Sequence, residues 1–498
     1  MRRSNSRLMR RLLTALHQTQ GGASVAALAM TYTGYSTREQ KLCYHCTNIP
    51  IQVHSTFMTT LEQAAEKLDF KRILPILVIV LVDLMGLSII IPLMPLFAAR
   101  FGATPLIIGI LQATYPMMQF IGAPILGRLS DRFGRKPVLI ASQIGTLAGF
   151  VLLGFANTLW LLFLSRIIDG LSGANISTAQ AAIADSTNEK TRTQGLGLVG
   201  AAFGVGFVLG PITAYIVLAT SGGDYRTVAL TAAFFSLTSI LLTTFWFNET
   251  HQDDSPTISS LKSPFRFTAM FDALRRPTIG FLLLIMFFYQ VAFGGYEQLF
   301  SLFTLTRLGM DATDTSGLFA LAGVFIVIVQ GGLIGRWSRE RGDRWLVILG
   351  VSTLAIGLIG TALTPRVPVP WYSESKVMRS LTGQDEIRVS TQNIKVALPD
   401  ESSKGWFGIA WLLIASFPAA LGGGVLHPAV NSLITKSADQ REVGGMLGIS
   451  AGFYSAANAV APLFYGSLFQ WLGAPVPFLA GGLILLILWV LAPRAIPK

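Results

Sequence analysis

Four ionisable side chains lie inside long apolar stretches of this sequence, where a charge is costly unless it is paired or hydrated. Asp83 has no basic residue within one helical turn, so it needs a partner from another segment or a bound proton. Arg166 and Asp169 are three residues apart, which places them on one helix face with Gly170. Glu297 is a second acid near the outer end of its stretch, where a solvated position at the rim is the alternative. Proton coupling requires a carboxyl group that can change between its neutral and its ionised form.

Two interpretations of Arg166 are open. In the first, Arg166 takes part in proton coupling by pairing with a carboxyl group, whose proton affinity changes when the pair breaks. Asp169 is then the local partner, and Asp83 is the candidate from another helix. In the second interpretation, Arg166 and Asp169 only neutralise each other inside the membrane.

Three side chains near Glu297 could line a substrate cavity, namely Tyr289, Gln290 and Tyr296. The alternative is that the two tyrosines pack against other helices or face lipid, which is the commoner role of aromatic residues at helical spacing. The sequence alone leaves both interpretations open.

Two patterns typical of soluble enzymes also occur, and neither fits its surroundings. The run from Gly195 to Gly200 matches a dinucleotide-binding fingerprint, but no strand precedes it and it lies within a long apolar run. The run from Gly448 to Gly452 matches a nucleophile elbow around Ser450, but it lies within an apolar helix without a triad partner. We therefore expect no enzyme, no catalytic residue and no cofactor.

The two cysteines do not indicate a metal site. Cys43 and Cys46, with the nearby His45 and His54, would form only a poor zinc site, and two cysteines cannot form a disulfide framework. We expect no metal.

The composition excludes a soluble globular protein. The 498 residues are 52% apolar and only 13% charged, with a mean hydropathy of +0.56. Charge this sparse cannot cover the surface of a soluble particle, so the apolar surface must face lipid. Twelve apolar blocks are long enough to cross a bilayer as helices and show no strand-like alternation. They lie at about 73–98, 105–127, 137–156, 158–181, 194–219, 227–247, 277–304, 314–335, 345–363, 406–430, 443–467 and 475–492. The predicted fold is an all-α integral membrane protein with twelve transmembrane helices.

The blocks divide into two halves. We predict an N-terminal extension at 1–72, a six-helix bundle at 73–247, a polar connector at 248–276 and a second six-helix bundle at 277–493. The second bundle contains a long insertion at 364–405. The extension resembles either an Arg-rich leader or the product of a mis-set start codon, and we favour the second, with Met58 as the start.

An internal repeat supports this division. Gly127-Arg-Leu-Ser recurs 208 residues later as Gly335-Arg-Trp-Ser, each followed by a glycine four residues after the serine. Gly210-Pro211 has a counterpart 251 residues later in Ala461-Pro462. This offset exceeds the first by 251 − 208 = 43 residues, which matches the length of the insertion at 364–405. The two bundles are therefore predicted to be parallel repeats.

The basic residues predict the orientation. Most of the excess that gives the net charge of +12 lies in short loops on one side of the predicted helices, which favours membrane topology over nucleic-acid binding. The short loops on that side contain sixteen basic residues. The short loops on the opposite side contain only Arg100, Arg226 and Arg307. We expect both termini in the cytoplasm and the insertion outside.

The loop after the second block has the chemistry of a latch between helices. Glycines at 127 and 134 permit tight turns, and Asp131 can pair with the surrounding bases, which include Arg128, Arg132, Arg135 and Lys136. The run Gly-Arg-Leu-Ser-Asp-Arg-Phe-Gly-Arg-Lys-Pro resembles the signature that follows the second helix in the major facilitator superfamily. We expect Gly127, Asp131, Arg132, Gly134, Arg135 and Lys136 to form the latch.

Two further runs are similar to motifs of the same superfamily. Arg-Ile-Ile-Asp-Gly-Leu-Ser-Gly-Ala resembles its fourth-helix motif, which implies a proton-coupling role for Arg166. The fifth block contains Gly200, Gly204, Gly206, Gly210 and Pro211, a spacing that predicts close helix packing and a bend. This run resembles the fifth-helix motif of the antiporter branch, although it departs from the pattern after the proline.

The first block completes the resemblance. The run from Asp83 to the prolines at 92 and 95 is similar to the first helix of drug/proton antiporters, including the tetracycline exporters. The resemblance implies proton-coupled efflux of a small amphipathic compound by a monomer in the bacterial inner membrane, without nucleic acid. Two alternatives stay open: a nutrient symporter or facilitator of the same fold, and a membrane sensor or scaffold that transports nothing.

Overall fold

A computed structural model describes residues 70–173, 175–187, 191–250, 267–382, 396–438 and 442–495, which belong to one compact unit, Asp69–Lys498. The N-terminal extension up to residue 69, the proposed start at Met58 and the cysteine and histidine pairs lie outside the described residues. So do most of the connector and residues 383–395 of the insertion.

The described part of the first half consists of eight helical segments. They are α1 (Phe70–Ser88), α2 (Met94–Arg100), α3 (Pro105–Phe133), α4 (Arg135–Gly154), α5 (Leu159–Ser172), α6 (Asn175–Asp185), α7 (Arg192–Ser221) and α8 (Tyr225–Phe245).

The second half follows the same order, with additions at the connector and the insertion. Its α-helices are α9 (Phe267–Leu274), α10 (Pro277–Leu308), α11 (Ala312–Ile328), α12 (Ile334–Arg341), α13 (Asp343–Ala362), α14 (Glu374–Thr382), α15 (Phe407–Ser437), α16 (Val443–Leu472) and α17 (Val476–Ala495). A π-helical turn, Val329–Leu333, joins α11 to α12, and a 3₁₀ turn, Glu401–Ser403, precedes α15.

Ten of these helical stretches are long and apolar enough to cross a membrane. Many of their large apolar side chains are exposed, including Phe234, Phe245 and Ile414, as expected for surfaces that face lipid. The integral-membrane, all-α prediction is therefore confirmed. The predicted first and fourth crossings do not meet these criteria, because α1 carries Lys71, Arg72 and Asp83 and α5 has only 14 residues. Each of the two crossings is also interrupted, so the count of twelve stays a prediction for them.

Both interruptions have a local cause. The first crossing turns between Ser88 and Met94, where Pro92 has no N–H to continue the helical bonding pattern. The fourth is broken at Gly173, and the compensating donor comes from another helix, because Gln119 Nε2 on α3 donates to the Gly173 carbonyl at 2.8 Å. Bonds of this kind satisfy backbone groups that a helix break exposes in a membrane.

The two ends of the bundle differ in how closely the halves approach. We call the end with the α3–α4 and α12–α13 loops the latch end, and the end with α14 the insertion end. Toward the insertion end α3 packs on α16, where a Cβ on Gly466 would lie 2.8 Å from the Pro105 carbonyl oxygen. Toward the latch end, a Cβ added at Gly127, Gly200 or Gly448 would meet no atom within 4 Å. Among the described residues, the halves therefore meet at the insertion end and leave space at these three positions of the latch end.

The insertion helps to close its end. Its helix α14 packs on α2 of the first half, with Val377 almost completely buried. The preceding segment is fixed to the second half, where the Val369 amide donates to the Leu308 carbonyl at 3.0 Å and Trp371 Nε1 donates to Asp314 at 3.1 Å. The Lys376 ammonium lies 3.5 Å from the Asp311 carboxylate. The insertion thus bridges the two halves at the closed end.

Candidate functional site

Asp83 lies within the first half, bound to an amide. Asn175 Nδ2, on the first residue of α6, donates to Asp83 Oδ2 at 2.7 Å. The contact joins α1 to the fourth crossing just after its break, because the chain resumes as a helix at Asn175. The partner that the sequence required from another segment is therefore a neutral amide.

Arg166 and Asp169 form a buried ion pair within α5. Arg166 Nη1 lies 3.1 Å from Asp169 Oδ2, and the two residues are only 4% and 2% exposed. The Arg166 guanidinium also stacks over the Phe150 ring at 5.7 Å. Among the described residues, the ion pairs of Arg166 do not include Asp83. Of the two partners that the sequence allowed for Arg166, the structure therefore shows the local one, Asp169.

Small residues make room for this pair. A Cβ on Gly149 of α4 would lie 2.9 Å from the Asp169 Cβ, so glycine at this position allows α5 to approach. On the other side, Gly170 lies against α3, where a Cβ would be 2.6 Å from the Tyr115 carbonyl oxygen. The pair is therefore held tightly between α3 and α4.

Glu297 lies deeper than the sequence analysis assumed. It is half-buried, eleven residues before the end of α10 at Leu308, or about 16 Å along the helix axis. Two turns toward the latch end, Gln290 Nε2 donates to Asn458 Oδ1 of α16 at 2.8 Å. Glu297 and Gln290 thus belong to the interior of the second half rather than to its rim.

The two tyrosines suggested as cavity residues pack in the core in this conformation. Tyr289 is 1% exposed, and Tyr296 lies among aromatic rings, with its centroid 4.9 Å from Phe300 and 6.0 Å from Phe478. The Tyr296 ring fills space between α10 and α17. The structure therefore corrects the predicted cavity lining at these two positions and favours the packing alternative.

A second polar group in this half was not among the predictions from the sequence. His427 of α15 is exposed, lies 5.0 Å from the Tyr454 ring of α16 and contacts Asn431 Nδ2 at 3.3 Å through Nε2. Asn431 in turn accepts from the Ser450 hydroxyl at 2.8 Å. Ser450 therefore donates to an amide and is not activated as a nucleophile. The signal in the sequence was a lone histidine before Pro428 in an apolar block.

Over part of its length, α7 contacts α1 closely through its glycines. The Ser88 hydroxyl donates to the Gly206 carbonyl at 2.9 Å, and a Cβ on Gly206 would lie 2.8 Å from the Leu84 Cβ. A Cβ on Gly210 would overlap the Ser88 hydroxyl, and Gly204 lies near Gln330 of the π-helical turn. At Gly200 the predicted packing is not seen in this conformation, because a Cβ there would meet no atom within 4 Å. The helix continues through Pro211.

The latch is centred on Arg135. Its Nη1 lies 2.5 Å from Asp131, and its Nε lies 2.7 Å from Asp185 at the end of α6. Glu249 beyond α8 accepts from the backbone amides of Arg135 and Lys136, each at 2.9 Å, which completes the N-terminus of α4. The latch therefore ties together several crossings of the first half.

The other predicted latch residues have lesser parts in this conformation. Gly134 has a φ of +95°, which favours glycine at the turn between α3 and α4. Lys136 donates through Nζ to the Thr244 carbonyl at 2.9 Å, and Arg132 stacks on the neighbouring Phe133. Gly127 is partly exposed within α3.

The second half contains the same latch with the charges exchanged. Asp343, 208 residues after Arg135, lies 2.5 Å from Lys436, which is 251 residues after Asp185. These are the two offsets of the internal repeat. Ser338 and Ser432 also donate to the Asp343 carboxylate. A central base with an acidic partner in one half thus becomes a central acid with a basic partner in the other.

The described residues offer no group of three or more histidine, cysteine, aspartate or glutamate side chains that could hold a metal ion. The polar groups described above are pairs and chains of hydrogen bonds, which suit the binding of protons and polar ligand atoms.

Comparison with known proteins gives consistent relatives. Over 404 residues the chain is 28% identical to the tetracycline resistance protein, class B, of Escherichia coli, covering 79% of this chain and 87% of that protein. It is 31% identical over 316 residues to the class E protein of Escherichia coli, covering 60% and 74%. It is 25% identical to multidrug resistance protein 2 of Bacillus subtilis (strain 168), covering 82% and 91%.

Solved structures share the fold. The human organic anion transporter MFSD10 (TETRAN) covers 86% of this chain and all of its own, with a TM-score of 0.57 and 20% identity. A D-xylose-proton symporter covers 87% and 99%, with a TM-score of 0.62 and 16% identity. The family model of the Major Facilitator Superfamily matches residues 76–374 and 403–498. The chain therefore belongs to the Major Facilitator Superfamily.

Proposed function

We propose that this protein is a secondary active transporter that exports a small amphipathic compound in exchange for protons. The observation that carries the proposal is Asp83, a carboxyl group inside a membrane bundle whose hydrogen-bond partner is neutral. The relatives named for resistance to tetracycline and to several drugs support efflux. The proposed mechanism requires no covalent chemistry, and no enzymatic activity is part of the proposal.

The conformation fits the loading step of export. The loop charges favour a cytoplasmic latch end, and the structure is open there and closed at the insertion end. A substrate from the cytoplasm then enters between the halves while Asp83 exchanges its proton with the same side. Closure of the latch end and opening of the insertion end release the substrate outside, where Asp83 is protonated again.

The second half is suited to bind the substrate. Glu297, the Gln290–Asn458 pair and His427 supply polar atoms on α10, α15 and α16, and aromatic rings of the same helices lie beside them. A few polar groups within apolar walls select a compound with one polar and one apolar side. In this scheme the proton site and the substrate site lie in different halves.

Further features of the proposal concern the setting of the protein. The bacterial relatives support a location in the inner membrane, and the bias of basic loop residues supports cytoplasmic termini. We also propose that it acts as a monomer and without nucleic acid. Cysteine labelling from outside the cell would test the orientation, since a cysteine in place of Ser375 of α14 should react with an impermeant reagent and one in place of Ser338 should not.

The test of function is export from an efflux-deficient bacterium. Cells that express the protein should accumulate less tetracycline than control cells, and a protonophore should abolish the difference. Asp83→Asn should reach the membrane yet lose gradient-driven export, because an amide cannot carry the proton.

Two results would contradict the proposal. Accumulation above the control that depends on an inward proton gradient would indicate a symporter. Binding of tetracycline to the purified protein without flux in either direction would indicate a sensor or scaffold.

A further inference from the structure

Asn175 binds Asp83 through only one of its two polar atoms. Its Nδ2 donates to Asp83 Oδ2 at 2.7 Å, whereas Asn175 Oδ1 and Asp83 Oδ1 are buried without a hydrogen-bond partner in the described part of the chain. The Thr178 hydroxyl, one turn along α6 on the same face, is also buried without one. Unpartnered buried polar atoms are uncommon and call for an explanation.

A small cavity borders the same two residues. It has a volume of about 10 Å³ and is lined by Ile79, Val80, Asp83, Leu139, Asn175 and Ala179. A space of roughly this size holds one water molecule when two or more polar atoms can bind it. The polar atoms left without partners around Asp83 meet that requirement.

The chemistry of an amide explains why asparagine suits this position. An ionised carboxyl group needs a donor, which Nδ2 supplies, whereas a protonated one needs an acceptor for its own O–H. Asn175 Oδ1 is an acceptor on the same side chain and is free in this structure. One residue can therefore bind Asp83 before and after proton transfer without movement of α1 relative to α6.

The other titratable groups near Asp83 do not bind its carboxyl group in this way. Asp169 of α5 and Tyr115 of α3 interact electrostatically with Asp83. Asp169 is already paired with Arg166. The helices α4, α7 and α8 pack nearby but carry their ionisable side chains toward their ends.

We propose that Asn175 is a positioning residue that binds the Asp83 carboxyl group in both of its protonation states, next to a single buried water that passes the proton. This inference rests on the proposed function, in which Asp83 carries the coupled proton. The inference concerns only how that proton is held, so it can be tested without a substrate.

The experiment is an infrared titration of the full chain in lipid vesicles, with the proton as the only ligand. The carboxylic-acid C=O band of Asp83 is identified by its loss in Asp83→Asn and is followed as a function of pH. In Asn175→Leu the carboxylate loses its donor, so the midpoint should move to higher pH by about one unit. The band should also move to higher frequency, because the acid loses its hydrogen bond to Oδ1.

Two variants separate this role from general damage. Asn175→Ser keeps a donor and an acceptor, so its midpoint should stay near that of the native chain. Ser236→Ala removes a different buried bond between helices of the same half, the 3.2 Å contact of its hydroxyl with the Gln143 carbonyl, and should leave both midpoint and frequency unchanged.

Unchanged midpoint and frequency in Asn175→Leu would overturn the inference, as would an equal shift in Ser236→Ala. A titration that matches expectation in every variant, but without tetracycline export by the native chain, would refute the proposed function and leave the role of Asn175 intact.

Discussion

Two glycines of α7 provide a matched test of alternating access. In the observed conformation a Cβ on Gly210 would lie 2.8 Å from the Ile89 nitrogen and would overlap the Ser88 hydroxyl. A Cβ on Gly200, ten residues earlier on the same helix, would meet no atom within 4 Å. Both substitutions by alanine change the same helix by one methyl group, so they differ mainly in what that group meets.

The two substitutions should change the free energy of unfolding in different directions. Alanine in place of glycine stabilises a helix interior by up to about 1 kcal/mol. Overpacking against a backbone atom costs about 1 to 3 kcal/mol. Taken together, these magnitudes make Gly200→Ala neutral or slightly stabilising, whereas Gly210→Ala should destabilise the protein by up to about 2 kcal/mol.

Transport should separate the variants in another way. If the latch end closes during the cycle, α7 approaches the second half near Gly200, and the added methyl group hinders that state. Gly200→Ala should then lower turnover several-fold without loss of stability, with denaturant unfolding in micelles and tetracycline export from cells as the two measurements. Full turnover in Gly200→Ala, or equal destabilisation by both substitutions, would refute this reasoning.

Three further predictions concern the latch, the buried ion pair and the insertion. Asp131→Ala should lower the turnover of tetracycline export only modestly, because Arg135 keeps its buried contact with Asp185 while the exposed partner contributes at most about 1 kcal/mol; a loss of substrate affinity at normal turnover would contradict a latch. Arg166→Ala should abolish export, since it leaves the Asp169 charge buried and unpaired at a cost of about 3 to 5 kcal/mol. Full rescue of export by the double alanine variant would reduce the pair to mutual neutralisation. Val377→Asp should favour opening of the insertion end, measured as faster labelling of a cysteine placed on α2, and unchanged labelling would show that α14 does not hold that end closed.

The sequence predicted the features that depend on local spacing. Helix positions follow from runs of apolar residues, the Arg166–Asp169 contact follows from helical periodicity, and the latch follows from a dense motif. Contacts between distant segments were not predicted, because spacing along the sequence does not indicate which residues far apart will meet. The Asp83–Asn175 bond spans 92 residues and its second member is a neutral amide, which an apolar block hides.

Other differences between expectation and structure have the same source. The tyrosines at 289 and 296 have the composition of cavity residues, but only the approach of other helices, such as α17 at Tyr296, decides that their rings are enclosed. Gly200 belongs to a packing motif, yet whether it packs depends on which end of the bundle is closed. A property that changes with conformation cannot be assigned from one sequence pattern.

The exchanged charges of the two latches also constrain the history of the chain. Repeats that arise by duplication begin with identical residues; if the two halves arose in this way, their shared offsets make Arg135 and Asp343 equivalent positions, and likewise Asp185 and Lys436. Changing one member of such a pair directly to the opposite sign would have placed like charges side by side at about 3 Å, where repulsion disfavours the folded chain. Reversal in one half is therefore easiest through a neutral intermediate such as serine or asparagine. Since the reversal, an exchange of single latch residues between the halves by recombination would recreate the repulsion, which isolates the two repeats from each other genetically.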